Sequence, residues 1–281
     1  MLIIYKIRLI KIAVSNIAWR LAEEEAIAQI MQALAIKGVE IATTKLWSSP
    51  SVATKNDITD YRQFWRSKNI EIVATQSLLF GRPDLTIFDN TETRKETFAY
   101  LVETIELGSK LGAKVLVFGA PKNRKVGGLN YEQTQEIAVE FFHKIGEIAA
   151  NLGISFCIEP NPTLYNCDFI TESQQGFKLV NKVDCAGFRL HLDTAAMTLS
   201  NESISQALKQ SFSTLCHFHV SEPLLSPIGE EKVNHETFAQ TLASLNYQGW
   251  VSVEMKAQHP ISNILNVSKA LEVATKYYGD K

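Results

Sequence analysis

A chain of 281 residues is long for one ordinary domain, yet a (β/α)8 barrel routinely uses about 250 as a single unit. At 46% hydrophobic and 21% charged it can bury a sizeable core, which excludes a disordered or fibrous chain. A formal net charge of −2 gives no electrostatic reason to expect nucleic acid or another polyanion as a partner.

The opening stretch Met1–Val14 is apolar but interrupted by Lys6, Arg8 and Lys11. It is too short and too charged to span a bilayer, and it lacks the ordered zones of a signal peptide. We expect residues 1–9 to form an N-terminal extension, residues 10–281 to form one barrel domain, and the protein to be cytoplasmic. From there, short apolar β-branched runs alternate with longer amphipathic stretches. The predicted strands are Ile10–Val14, Val39–Thr43, Ile70–Thr75, Ala113–Phe118, Ile154–Glu159, Phe188–Asp193, Leu215–Val220 and Trp250–Met255. Between them fall predicted helices at about Ala22–Lys37, Asp57–Lys68, Thr93–Leu111, Tyr131–Asn151, Glu172–Lys182, Ile204–Phe212, Glu236–Leu245 and Ile261–Tyr278. Gly38, Gly112, Gly153 and Gly249 stand as stop signals just before a strand. Eight such units make an α/β chain of the TIM-barrel type; the rival is an open doubly wound sheet. Against that rival, no GxGxxG follows the first strand and no phosphate-loop motif occurs. The four cysteines, Cys157, Cys167, Cys185 and Cys216, form no CxxC pair and read as reduced thiols.

In a barrel, the carboxyl ends of the strands share one mouth, and the last four predicted strands each end on a possible metal ligand. They read Phe156-Cys-Ile-Glu159, Leu190-His-Leu-Asp193, His217-Phe-His219 and Val251-Ser-Val-Glu254. A charge closing a buried apolar strand is costly unless something pairs with it, and three converging carboxylates repel one another. Any one of these residues has a bland explanation as a salt-bridged or hydrogen-bonded side chain. Four in succession point to a divalent cation. Three oxygen ligands and one imidazole suit Mn²⁺, Zn²⁺, Co²⁺ or Mg²⁺ without choosing among them.

On these motifs the sequence resembles the xylose-isomerase-like TIM barrel superfamily, in its sugar phosphate isomerase/epimerase branch, from Ile10 to the C-terminal helix. The approach Asn246-Tyr-Gln-Gly-Trp-Val-Ser-Val-Glu254-Met also resembles that family's. The resemblance implies one metal held by Glu159, Asp193, His219 and Glu254, with Glu159 and Glu254 as the catalytic pair. In relatives acting on ketoses, two such glutamates flank the substrate and move protons through a cis-enediolate. Ketose 3-epimerases of the family carry a His three residues after the metal-binding Asp and an Arg six after the metal-binding His. Here those positions are Ala196 and Leu225. The implied activity is an isomerase or epimerase for a small polyhydroxylated carbonyl compound, phosphorylated or not. A dehydratase on the same scaffold and a non-catalytic metal-containing binding protein stay open. A multi-metal DNA-repair endonuclease of the superfamily is disfavoured by six histidines and no basic excess. Homo-oligomerisation stays open.

Further residues have a claim on the site. His217 and His191 lie two positions before His219 and Asp193, on the same strand faces and one layer deeper. His217 is read as an orienting or packing residue, and His191 as packing. Lys256 bears the same relation to Glu254 on the mouth side. Lys122 and Arg124, in the Gly/Pro-punctuated loop after the fourth strand, suit an anionic or polar substrate end. Gln76 closes the third strand, and Glu222 trails His219 by three. Trp19 and Trp47 suit either a sugar-facing floor or core packing, the latter being the commoner fate.

Overall fold

The computed structural model describes residues 10–229, 232–258 and 260–279, apart from the side chains of 260–262. The expected extension over residues 1–9 lies outside the described residues. Eight parallel strands pair in chain order and close on themselves, β8 against β1. They are β1 Lys11–Ser15, β2 Gly38–Ala42, β3 Glu71–Gln76, β4 Val115–Phe118, β5 Ser155–Ile158, β6 Phe188–Asp193, β7 Leu215–Ser221 and β8 Trp250–Glu254. The helices are α1 Glu24–Ala33, α2 Lys55–Ser67, α3 Thr91–Leu111, α4 Tyr131–Asn151, α5 Ser173–Val183, α6 Thr194–Leu199, α7 Ile204–Ser211, α8 His235–Ser244 and α9 Pro260–Tyr278. This is the barrel that the alternation predicted. No helix among the described residues is long and apolar enough to cross a membrane.

Strand alternation sorts two apolar regions. In β1, Ile12 and Val14 join the main core between strands and helices, while Ala13 points the other way, into the barrel. There it meets Val73, Ala74, Val115, Val117 and Cys157, a separate apolar plug with Cys216 and Trp250 at its edge. Gly38 is required at this end, because a Cβ there would overlap the Trp250 ring and Ala13.

Two register shifts interrupt the ladders, between Val39 and Glu40 where β2 meets β3, and between Leu190 and His191 where β6 meets β7. Such irregularities bend a strand and re-aim the next side chain. Both lie beside the polar layers described below.

The helix ends differ from the sequence expectation in two instructive places. Helix α1 stops at Ala33, four residues short of the predicted Lys37, because the chain turns through Ala35 at φ 56°. Helix α6 was not anticipated: it starts directly after β6, and the Asp193 side chain caps it by accepting the Ala196 N–H at 2.7 Å. Conventional signals set other ends. Thr54 and Asp57 form a capping box on α2, and Gly112 closes α3 at φ 95°.

Candidate metal centre

Ligand atoms of Glu159, Asp193, His219 and Glu254 all lie within 4.8 Å of one another. Each arrives from the carboxyl end of a different strand. Asp193 and Glu254 are the last residues of β6 and β8, His219 sits within β7, and Glu159 is one residue past β5. Register explains the convergence, since Asp193 is the ladder partner of His219 and Ser221 that of Glu254. His219 Nδ1 faces Glu254 Oε2 at 3.3 Å and Glu159 Oε1 at 4.0 Å, yet it has no hydrogen-bond partner.

The carboxylates are held from behind. Asp193 accepts the Ala196 N–H at Oδ1 and the Ser221 hydroxyl at Oδ2. Glu159 lies against Gly119, the residue after β4, where a Cβ would overlap its Oε2. Arg124 is fully buried on the turn Pro121–Arg124, and its Nη2 donates to the Glu159 carbonyl at 2.6 Å. Its Nε and Nη1 find no partner among the described residues.

Below this cluster sits a second polar layer that the sequence reading only half anticipated. His191 pairs with His217 across the β6–β7 ladder, and both are buried. Glu40 of β2 joins them. With no exposure at all, it accepts from His219 Nε2 at 2.9 and 3.1 Å, and from His217 Nε2 at 3.4 Å. A charge inside the run Val39-Glu40-Ile41-Ala42 was the available signal, because a charge within a buried apolar strand is costly unless something pairs with it. His191 makes no hydrogen bond at either nitrogen and lies 3.8 Å from Glu159 Oε1. Nitrogens of His191, His217 and His219 also come within 4.8 Å of one another. Two of these rings already turn Nε2 to Glu40, so the trio shares its donors with the carboxylate.

Electrostatics follow from burial and crowding. Burial, then the Glu254 charge, pushes Glu159 up to about 8, against the pull of His219. The same two causes push Asp193 up to about 6. Burial opposes the Glu40 carboxylate too, yet His219 and His217 hold it well below the ordinary range. Burial likewise opposes a charged His219, but Glu40 and Glu254 raise it well above the usual value. Protons are retained where carboxylates crowd, which is where a dication would displace them.

The remaining predicted residues distribute around the mouth and the interior. Lys122 and Lys256 are exposed, and their side chains meet no hydrogen-bond partner among the described residues. Gln76 is buried and donates from Nε2 to Ser15 Oγ. Glu222 is buried against His235, whose Nε2 lies 3.3 Å from Glu222 Oε1 and whose Nδ1 meets the Tyr278 hydroxyl at 3.0 Å. Trp19 is core, edge-on to Trp65, and half-buried Trp47 packs on Tyr61. Tyr165 was not foreseen. Half-buried on the loop after β5, its hydroxyl accepts the Leu224 N–H at 2.9 Å and feels the Asp193, Glu254 and Glu159 charges. Ala196 is buried in α6, while Leu225 turns through φ 56° and its carbonyl accepts the Lys256 N–H at 3.0 Å.

Comparison with known proteins adds a lineage. The sequence is 25% identical to the "Probable ketose 3-epimerase" of Synechocystis sp. over 252 residues, 87% of this chain and 84% of that protein. It is 29% identical to the D-psicose 3-epimerase of Ruminiclostridium cellulolyticum over 119 residues, 42% of this chain and 40% of that one. The crystal structure of D-psicose 3-epimerase with D-tagatose from Clostridium cellulolyticum superposes with a TM-score of 0.80 at 17% identity. It covers 96% of this chain and 100% of that one. The family described as xylose isomerase-like TIM barrel matches residues 28–277. With that match over most of its length, the chain belongs to the xylose isomerase-like TIM barrel family.

Proposed function

We propose that the protein is a metal-dependent epimerase or isomerase acting on a ketose or a related polyhydroxylated carbonyl compound. The observation that carries this reading is the convergence of one buried and two half-buried carboxylates with one unpartnered imidazole nitrogen at the barrel mouth. The Synechocystis chain, matched over 84% of its length, carries the name "Probable ketose 3-epimerase", which supports the sugar assignment. The donor set fits one divalent cation, which when bound would polarise a carbonyl and acidify the neighbouring C–H.

The proton work falls to Glu159 and Glu254. They come from strands on separate sides of the ring, so they can address opposite faces of a substrate. One carboxylate takes the carbon-bound proton and the other, protonated, returns one to the opposite face. Lys122 and Lys256, both exposed, are the proposed contacts for substrate oxygens or an anionic end. Gln76, His217, Glu222 and Arg124 are proposed to act from behind, through Ser15, Glu40, His235 and the Glu159 carbonyl respectively. Ala196 and Leu225 offer no side-chain hydrogen bond, so the substrate is expected to carry fewer polar groups at that end.

Protein purified without chelator should contain about one divalent metal per chain. Incubated in D2O with a panel of ketoses and cyclic hydroxyketones, it should place deuterium on carbon next to the carbonyl. Epimer formation assigns an epimerase, and loss of water with a new conjugated chromophore assigns a dehydratase. Metal without exchange on any substrate would leave the binding-protein reading.

A further inference from the structure

Glu40 is expensive. Its neighbours in β2, Val39 and Ile41, belong to the main core, and an apolar side chain at position 40 would join the plug inside the barrel at no electrostatic cost. The carboxylate instead reaches only imidazoles. Both of its oxygens meet His219 Nε2, and one also meets His217 Nε2. A register shift at Val39/Glu40 aims it there.

An imidazole presents two nitrogens, and a neutral ring has one proton to place. On His219 the nitrogen facing Glu40 must donate, because a carboxylate can only accept. Nδ1 is then left with a lone pair, and it is the nitrogen that faces Glu159, Asp193 and Glu254 without a hydrogen-bond partner. Remove the acceptor, and a buried Nε2–H loses its partner, so the hydrogen bond no longer holds the ring with that edge inward.

We infer that Glu40 is a positioning residue for the cation centre: it accepts the hydrogen bond from His219 Nε2–H, fixes the ring, and so presents Nδ1 to the metal. This rests on reading Glu159, Asp193, His219 and Glu254 as a metal site. It assigns Glu40 no contact with substrate.

The test compares wild type with E40Q and E40L, each stripped of metal and titrated with Mn²⁺ while free ion is followed by EPR. Cadmium-113-loaded samples with ring-¹⁵N-labelled histidine report which His219 nitrogen binds. Wild type should couple cadmium to Nδ1 and retain a proton on Nε2. E40L should lose about 10–100-fold in Mn²⁺ affinity, the usual effect of deleting such a support, and its cadmium–Nδ1 signal should weaken or move to Nε2. E40Q, which keeps an acceptor oxygen, should fall between. Affinity within about threefold of wild type in both variants, with an unchanged spectrum, overturns the inference and leaves the metal site standing. Wild type that takes up no metal overturns the site itself, and the Glu40 role with it. If E40L does not fold, the wild-type spectrum decides: cadmium on Nε2 overturns the assignment, and cadmium on Nδ1 with protonated Nε2 supports it.

Discussion

Taking Glu159 out of water beside Glu254 and Asp193 makes its proton hard to remove, and its pKa rises to about 8. A cation must displace that proton to use the carboxylate. Apparent metal affinity should therefore climb from pH 6 to pH 8, with proton release on binding that shrinks toward the upper end. Calorimetry in buffers of different ionisation enthalpy would count those protons, and a pH-independent affinity would contradict the buried-carboxylate picture. The same residues separate ligation from chemistry. Glu159→Gln and Glu254→Gln keep a carbonyl oxygen but lose the base, so turnover should fall about 10²–10⁴-fold in metal-loaded protein. Asp193→Asn should act mainly on metal affinity and recover in excess metal. A loaded Glu→Gln variant with near-normal turnover would demote that residue to a ligand.

At the scale of elements, the site depends on backbone that carries no ligand. Gly119 follows β4 and leaves the space that the Glu159 carboxylate occupies. Gly119→Ala should push that carboxylate aside and lower metal affinity at least tenfold while the barrel still folds, as thermal unfolding and metal titration would show. Unchanged affinity would mean that Glu159 has another low-energy position. The elements also mark the limit of what the sequence disclosed. Strand-final carboxylates were visible because a charge closing an apolar run is rare, and the strand ladders then bring them together. Helix α6 was hidden because Thr194–Leu199 is only six residues long and its cap is Asp193, already accounted for as a ligand. Glu40 was passed over because it stands inside its strand rather than at the end. Its partners are 177 and 179 residues away in sequence, a separation that no local pattern can span. Arg124 looked like a loop charge, and only tertiary packing buries it against the Glu159 carbonyl.

For the whole molecule, the centre sets how stability responds to pH and metal. Glu159 rises from an ordinary 4.5 to about 8 on folding, and Asp193 from 3.8 to about 6. A raised carboxyl stabilises the fold fully below its unfolded value and loses that contribution as pH climbs through its folded value. His219 acts in the same sense, since its raised pKa means stability present below 6.5 and lost at higher pH. Glu40 is depressed, so its contribution is complete above the ordinary carboxylate range and adds no slope there. Metal-free protein should accordingly become less stable between pH 5 and pH 8. Bound cation reverses the trend, because it replaces the lost protons and binds more tightly as they leave. At about 100 times its Kd, a metal adds about 2.7 kcal/mol, which for a chain of this size is a Tm increase of about 5 °C or more. The Tm gap between metal-loaded and chelator-treated protein should thus widen steadily from pH 5 to pH 8. Thermal unfolding with and without EDTA across that range measures it directly. A gap that stays constant or narrows would mean that the carboxylates are already ionised without the cation, and no gap at any pH would mean that no cation binds the cluster.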